Sequence, residues 1–341
     1  MANLTQAHRE LFRRTPDECF SSLDELEANC KREREESLDR WHLPQRLQPT
    51  SIGDVLELTA GDDGSFRLND WSFSQLCRLG GVSKETVNRV SADTAGRILR
   101  ETLPGGQKPL QILTTGDGIR SVHGTAYSRL WNADLLSMVR EFDDYQPPQH
   151  ALNGATGLYC GEQDLFCFLI DPAGWTEIGG EHFAPGFFLW NSEVGKRSLG
   201  ISSFWFQKVC MNHIVWDAVE VVEFTRKHTG NIRESLNDIR RIIEAQVQKR
   251  DSRRDGFAAA IKKAMQESAG TTSDEATKFL LKQGISRDMV KRAVDYLSDH
   301  GRPFTLWTLV DALTQFNTKL VYAGDRMEAD MKVAGLLSLA V

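Results

Sequence analysis

The sequence predicts an α+β protein: a mostly antiparallel sheet of hairpins with interleaved helices, a helical N-terminal arm and a helical C-terminal region. Three observations carry this expectation. Apolar segments flank short Gly/Asp turns at residues 55–68 and 110–122, and a similar pair spans 157–170, the pattern of β-hairpins. Residues 183–216 set eight aromatics around one polar turn, which reads as buried strands leading into a helix. Beyond Asn231, Ile232, Leu236, Ile239, Ile242, Ile243 and Val247 recur at helical spacing,. Hairpins make antiparallel neighbours, and the helices between them are expected to cover one face.

Taken in order, residues 1–40 read as charged helices, with Ser22 and Glu25 spaced as a capping box,. Pro44 and Pro49 mark residues 41–51 as a linker, so residues 1–50 form an arm. The sheet domain is expected over 51–225 and a helical region packed on it over 226–341. Ser72, Ser83 and Ser91 each open a helical pattern,. Another helix is expected from Asn132 to Phe142. In the C-terminal region a break is expected at Ser252-Arg253-Arg254-Asp255-Gly256, followed by further helices to about Leu339,.

The 341 residues carry a net charge of −6, which excludes a uniformly basic nucleic-acid binder,. The charge is unevenly placed. Residues 226–263 hold eleven Lys/Arg against five Asp/Glu, and residues 41–225 hold fourteen against twenty-two. A basic segment on an acidic body points to a polyanionic partner. Six scattered cysteines without framework spacing, and an N-terminus without an apolar core, predict a cytoplasmic protein with reduced thiols,. No run of about eighteen apolar residues occurs, so no membrane partner is expected,.

Several motifs stand in a fixed order. They are Arg120-Ser121-Val122, Tyr127-Ser128-Arg129, Asp164-Leu165-Phe166, Glu177-Ile178-Gly179-Gly180-Glu181, Asn191-Ser192-Glu193-Val194-Gly195, Val209-Cys210-Met211-Asn212 and the run from Leu306 to Thr314. Together they resemble the phage/plasmid-like protein family, a domain of unknown function found in prophages and conjugative plasmids. The resemblance covers roughly residues 55–320. This chain departs from the family pattern at His213 and Ala126. The order of elements is also similar, at the level of fold, to phage single-strand-annealing proteins.

Four chemistries compete. A zinc site would use Cys210 and His213, but one C-x-x-H pair is not four ligands, and Cys160, Cys167 and His182 show no pairing,. A magnesium- or manganese-dependent nuclease would use Glu177, Glu181 and Glu193. Nucleophilic catalysis has no elbow or triad context. Binding of single-stranded DNA without chemistry or cofactor needs cations beside aromatics. Lys196, Arg197 and Lys208 meet that need, with Arg240, Arg241, Lys249, Arg250, Arg253 and Arg254 downstream. Asn191, Ser192, Glu193 and Gly195 would shape the presenting turn. The expectation is a single-strand-binding, strand-annealing homo-oligomer, ring or filament, whose arm reaches a neighbour. A metal-dependent nuclease and a protein-binding anti-defence decoy are the alternatives.

Overall fold

The computed structural model describes residues 10–150, 154–208, 212–215 and 224–340. Strand β1 (Glu18–Cys19) precedes α1 (Leu23–Glu35), whose Ser22 cap accepts from the Glu25 N–H as the spacing predicts. Then come β2 (Ser37–His42), β3 (Leu47–Ile52), β4 (Val55–Ala60) and β5 (Ser65–Leu68). Helix α2 (Asp70–Leu79) is capped by Asn69, with Ser72 as the reciprocal partner three residues on. Ser83 and Ser91 cap α3 (Lys84–Val87) and α4 (Ala92–Thr102). The hairpin of β6 (Leu110–Thr115) and β7 (Gly118–His123) leads to α5 (Asn132–Val139) and the small hairpin of β8 (Gln149–His150) and β9 (Gly154–Ala155).

The second half opens with β10 (Leu158–Cys160), β11 (Leu165–Ile170), β12 (Thr176–Ile178), β13 (Glu181–Asn191) and β14 (Leu199–Gln207). Two short strands follow, β15 (Asn212–Ile214) and β16 (Phe224–Arg226). The helix expected after the aromatic strands does not begin at β15, and residues 216–223 lie outside the described residues. The helices α6 (Ser235–Gln248), α7 (Arg250–Gln266), α8 (Ser273–Lys282), α9 (Arg287–Asp299), α10 (Leu306–Asn317) and α11 (Ala323–Ala334) close the chain. The break expected at residues 252–256 is absent, because α7 runs through it. Phe257, Ile261 and Ala264 bury one stripe of that helix, and tertiary packing overrides the local Gly and charge pattern.

Among the described residues two large sheets form. The eight-stranded one runs β1-β10-β11-β13-β14-β15, with β12 on β13 and β16 on β14; the six-stranded one runs β2-β6-β7-β5-β4-β3. All their pairs are antiparallel except β5 with β7. The α+β class therefore holds. Strands β11 and β14 are buried along their whole length, because helices cover both faces of the larger sheet. Phe183 and Trp205 pack against the C-terminal helices through Phe257 and Trp307, while Phe187 and Leu189 meet Leu26, Leu135 and Ile239. On the other face Phe168, Phe188 and Phe204 lie under Ala323 and Met327 of α11.

The N-terminal stretch is not a free arm. β1 pairs with β10, and β2 pairs along its full length with β6. The linker expected at 41–51 contains β3, an edge strand, where Pro49 opposite Leu58 is tolerated because one side of the strand has no ladder to complete,. The segment before β1 also meets the start of α11: the Tyr322 hydroxyl donates to the Arg14 carbonyl at 3.1 Å, and the Ala323 N–H donates to Asp17 Oδ2 at 2.9 Å.

Candidate nucleic-acid interface

The turn from Asn191 to Gly195 leaves β13 and enters the seam between the two sheets. Asn191 is fully buried and donates through Nδ2 to the Leu130 carbonyl at 2.9 Å and to Asn132 Oδ1 at 2.8 Å. Ser192 donates to the Gln163 carbonyl at 2.6 Å and accepts from the Lys196 N–H at 2.9 Å. Glu193, 2 % exposed, accepts from the Asn132 N–H at 2.7 Å and pairs with Arg120 at 2.9 Å. Its carbonyl accepts from the Tyr127 hydroxyl at 2.8 Å and from Arg129. Asn191 and Glu193 thus tie β13 to the segment leading into α5 and to β7, while Ser192 fixes the turn itself,.

Arg120 reaches Glu193 through a bulge. Leu113 pairs with Ser121 and the next residue, Thr114, pairs with Ile119, so Arg120 is the extra residue of β7. A bulge re-aims a side chain out of the alternating pattern, and here it aims the guanidinium at Glu193 and at Glu33, 3.5 Å away. Burial opposes the Arg120 charge, yet Glu193 and Glu33 outweigh it and raise the pKa. Burial also lifts the Glu33 carboxyl.

Beside this ion cluster the rings of His123 and Tyr127 stack at 3.6 Å and 6°, with His228 next at 5.6 Å. Gly195, at φ +72°, lies under the stack: a β-carbon there would sit 2.6 Å from His123 Cε1, so only glycine fits. Burial, then the Arg129 charge, push His123 down to about 3; burial takes His228 to about 4. Both are neutral at physiological pH. Burial raises the Tyr127 phenol.

Across the six-stranded sheet, Asp39, Leu113 and Ser121 share one row facing the seam, and Trp41, Gln111 and His123 form the next row outward. Leu113 is covered by Val194, Trp71 and Trp131. Trp41 is 49 % exposed on the edge strand. Trp71 donates to the Val194 carbonyl at 2.7 Å and carries the Lys196 ammonium 5.1 Å above its ring.

The sequence-derived cations fare unevenly. Lys196 and Lys208 are exposed, each over an indole, Lys208 at 5.7 Å above Trp175. Arg197 is held by Asp164 at 3.2 Å and by Glu328. Arg240 makes two 2.6 Å bonds to Glu141, Arg241 stands 3.6 Å from Asp238, and Arg250 lies 2.6 Å from Asp171. Arg254 pairs with Asp251 and Asp255, Arg253 is buried, and Lys249 is exposed at the start of α7. Most of these downstream arginines thus have a carboxylate partner within the chain.

The carboxylates of the nuclease alternative are not brought together. Glu181 begins and Glu193 follows the same eleven-residue strand, roughly 30 Å apart or more at about 3.3 Å per residue. Glu177 is exposed beside His182, and Glu193 is locked to Arg120. Cys210 lies outside the described residues. His213 is stacked 4.1 Å from Phe168 in an apolar cluster, and burial holds it far below the usual imidazole range. Among the described residues no group of three or more His, Cys, Asp or Glu could hold a metal ion. Trp41, Gln111, His123 and His228 were missed in the sequence, since only the strand register reveals that the first three share a row. Compared with protein-family models, curated proteins and solved structures, the chain matches none.

Proposed function

We propose that the protein binds single-stranded nucleic acid across the outward row of the six-stranded sheet, with strand annealing as the activity this serves. The observation that carries it is the half-exposed indole at Trp41, in register with the buried Gln111 and the half-buried His123, which stacks on Tyr127. Aromatic faces on a rigid sheet suit unpaired bases, because every base offers a π-face. Lys196, next to the glycine that abuts His123, supplies an exposed cation for a phosphate. The neutral histidines behind the row do not repel the cations around them. The motif resemblance to mobile-element proteins agrees with such a role. Self-association along the strand extends a short contact surface.

Trp41→Ala tests this. Stacking contributes about 1–3 kcal/mol per base, so single-strand affinity is expected to drop at least fivefold, with unfolding midpoint unchanged because the indole packs on little. Wild-type indole fluorescence should be quenched by an oligonucleotide, less so in the variant. Equal affinities in fluorescence anisotropy would remove the row from the interface.

A further inference from the structure

A cavity of about 220 Å³ lies on the far side of α2, between the segment preceding β1 and the helix α3. Asn88 builds it. Its side chain accepts from the Phe12 N–H at 2.8 Å and donates to the Phe12 carbonyl at 2.8 Å, while its own carbonyl accepts from the Leu11 N–H at 2.9 Å. This reciprocal clamp ties the two backbones together and sets Arg13 and Arg89, each the residue after a clamped position, on one cavity wall. The deeper charges of the wall are already matched. Lys84 meets Asp70 at 2.6 Å, and Arg14 meets Asp17 at 3.0 Å and Asp164 at 3.6 Å. Glu85 accepts from the Ser83 hydroxyl at 3.0 Å and is held low first by its own backbone N–H. Glu10 stands at the rim. Neither Arg13 nor Arg89 forms a close ion pair with a carboxylate among the described residues, although the Arg89 charge helps to hold Glu85 low.

Two guanidinium groups on one wall, held there by a neutral amide clamp, offer their donor forks to an oxyanion,. The volume sets the scale of the ligand. Pockets that enclose a drug-sized molecule run from about 300 Å³ upward, so this one suits a single compact anion. We propose that the Arg13–Arg89 cavity binds a phosphate group, either free or at the end of a strand. The site is separate from the ring row at Trp41 and does not depend on it.

Thermal unfolding in sodium phosphate against sodium chloride at matched ionic strength, with phosphorus NMR line broadening, measures the binding. Phosphate is expected to raise the unfolding midpoint of the wild type and to broaden. Arg13→Ala with Arg89→Ala should weaken binding at least tenfold, and Arg→Lys at both should retain part of it. Both arginines are exposed, so the unfolding midpoint of each variant in chloride checks its fold. Trp41→Ala should bind phosphate as the wild type does, which separates this site from the ring row. Oligonucleotides of one sequence with a 5′-phosphate or a 5′-hydroxyl assign the source: a preference for the phosphorylated form identifies a strand end, and equal binding identifies the free anion. No phosphate effect in the wild type, or an equal one in the double alanine variant, overturns the proposal.

Discussion

Asn191, Ser192 and Glu193 stand out in the sequence as a polar turn between aromatic strands, and the structure explains them by what they hold. Glu193 meets Arg120 with side-chain exposures of 1 % and 13 %. Removing one partner of a buried pair strands the other's charge, a loss of about 3–5 kcal/mol. Glu193→Gln is expected to fall near the lower end, because Glu33 stays within 3.5 Å of Arg120. Urea unfolding checks it. An intact unfolding midpoint combined with lost nucleic-acid cleavage would instead revive a catalytic carboxylate. The motif was legible as important, but its partner was not. Arg120 faces the seam only because of a one-residue bulge, and periodicity arguments assume strict alternation.

At the scale of elements, hairpins with local turns were readable, since each is closed by neighbours in the sequence. β4–β5, β6–β7 and β10–β11 all form close to where alternation and turn residues place them. Strands that pair at long range were not. β2 follows a run of Arg and Glu that favours helix, and only its pairing with β6, about seventy residues on, makes it a strand. The basic residues of α6 were read correctly as helical, whereas Arg253 and Arg254 of α7 were placed in a break, and the charge partners of the series beyond α5 and β11 are invisible to charge counting. The integration of the N-terminal stretch has a direct test. Deleting residues 1–42 removes β1, α1 and β2, and with them Leu26 and Cys30 from the core around β11 and β13. The shortened chain is expected to lose its cooperative unfolding transition altogether. A folded truncation by circular dichroism and urea melting would return these residues to the status of an accessory arm.

For the molecule as a whole, buried neutral histidines tie stability to pH. His213 has both ring nitrogens without a hydrogen-bond partner, and its pKa lies well below 6.5. A depressed folded pKa means that the unfolded chain binds the proton first, so this contribution is complete above about pH 6.5 and is lost as pH falls. Asp330, raised by burial to about 7, works in the opposite direction: it favours the fold below pH 4 and gives that up as pH rises toward 7. The total slope therefore mixes signs, and a single-site comparison isolates one group. His213→Phe is expected to gain on the wild type by about 1.4 kcal/mol per pH unit between pH 6 and 5, read from urea unfolding across that range. A constant difference would mean that His213 titrates normally in the folded state. The meeting of the segment before β1 with the start of α11 has a different kind of consequence. Arg14 and Asp17 leave the ribosome about 300 residues before Tyr322 and Ala323, and contacts between such distant segments form slowly. The stretch before β1 must wait, unlatched, until the start of α11 has been translated. A premature stop before residue 322 would leave its damage at the opposite end of the sequence, around Asp17.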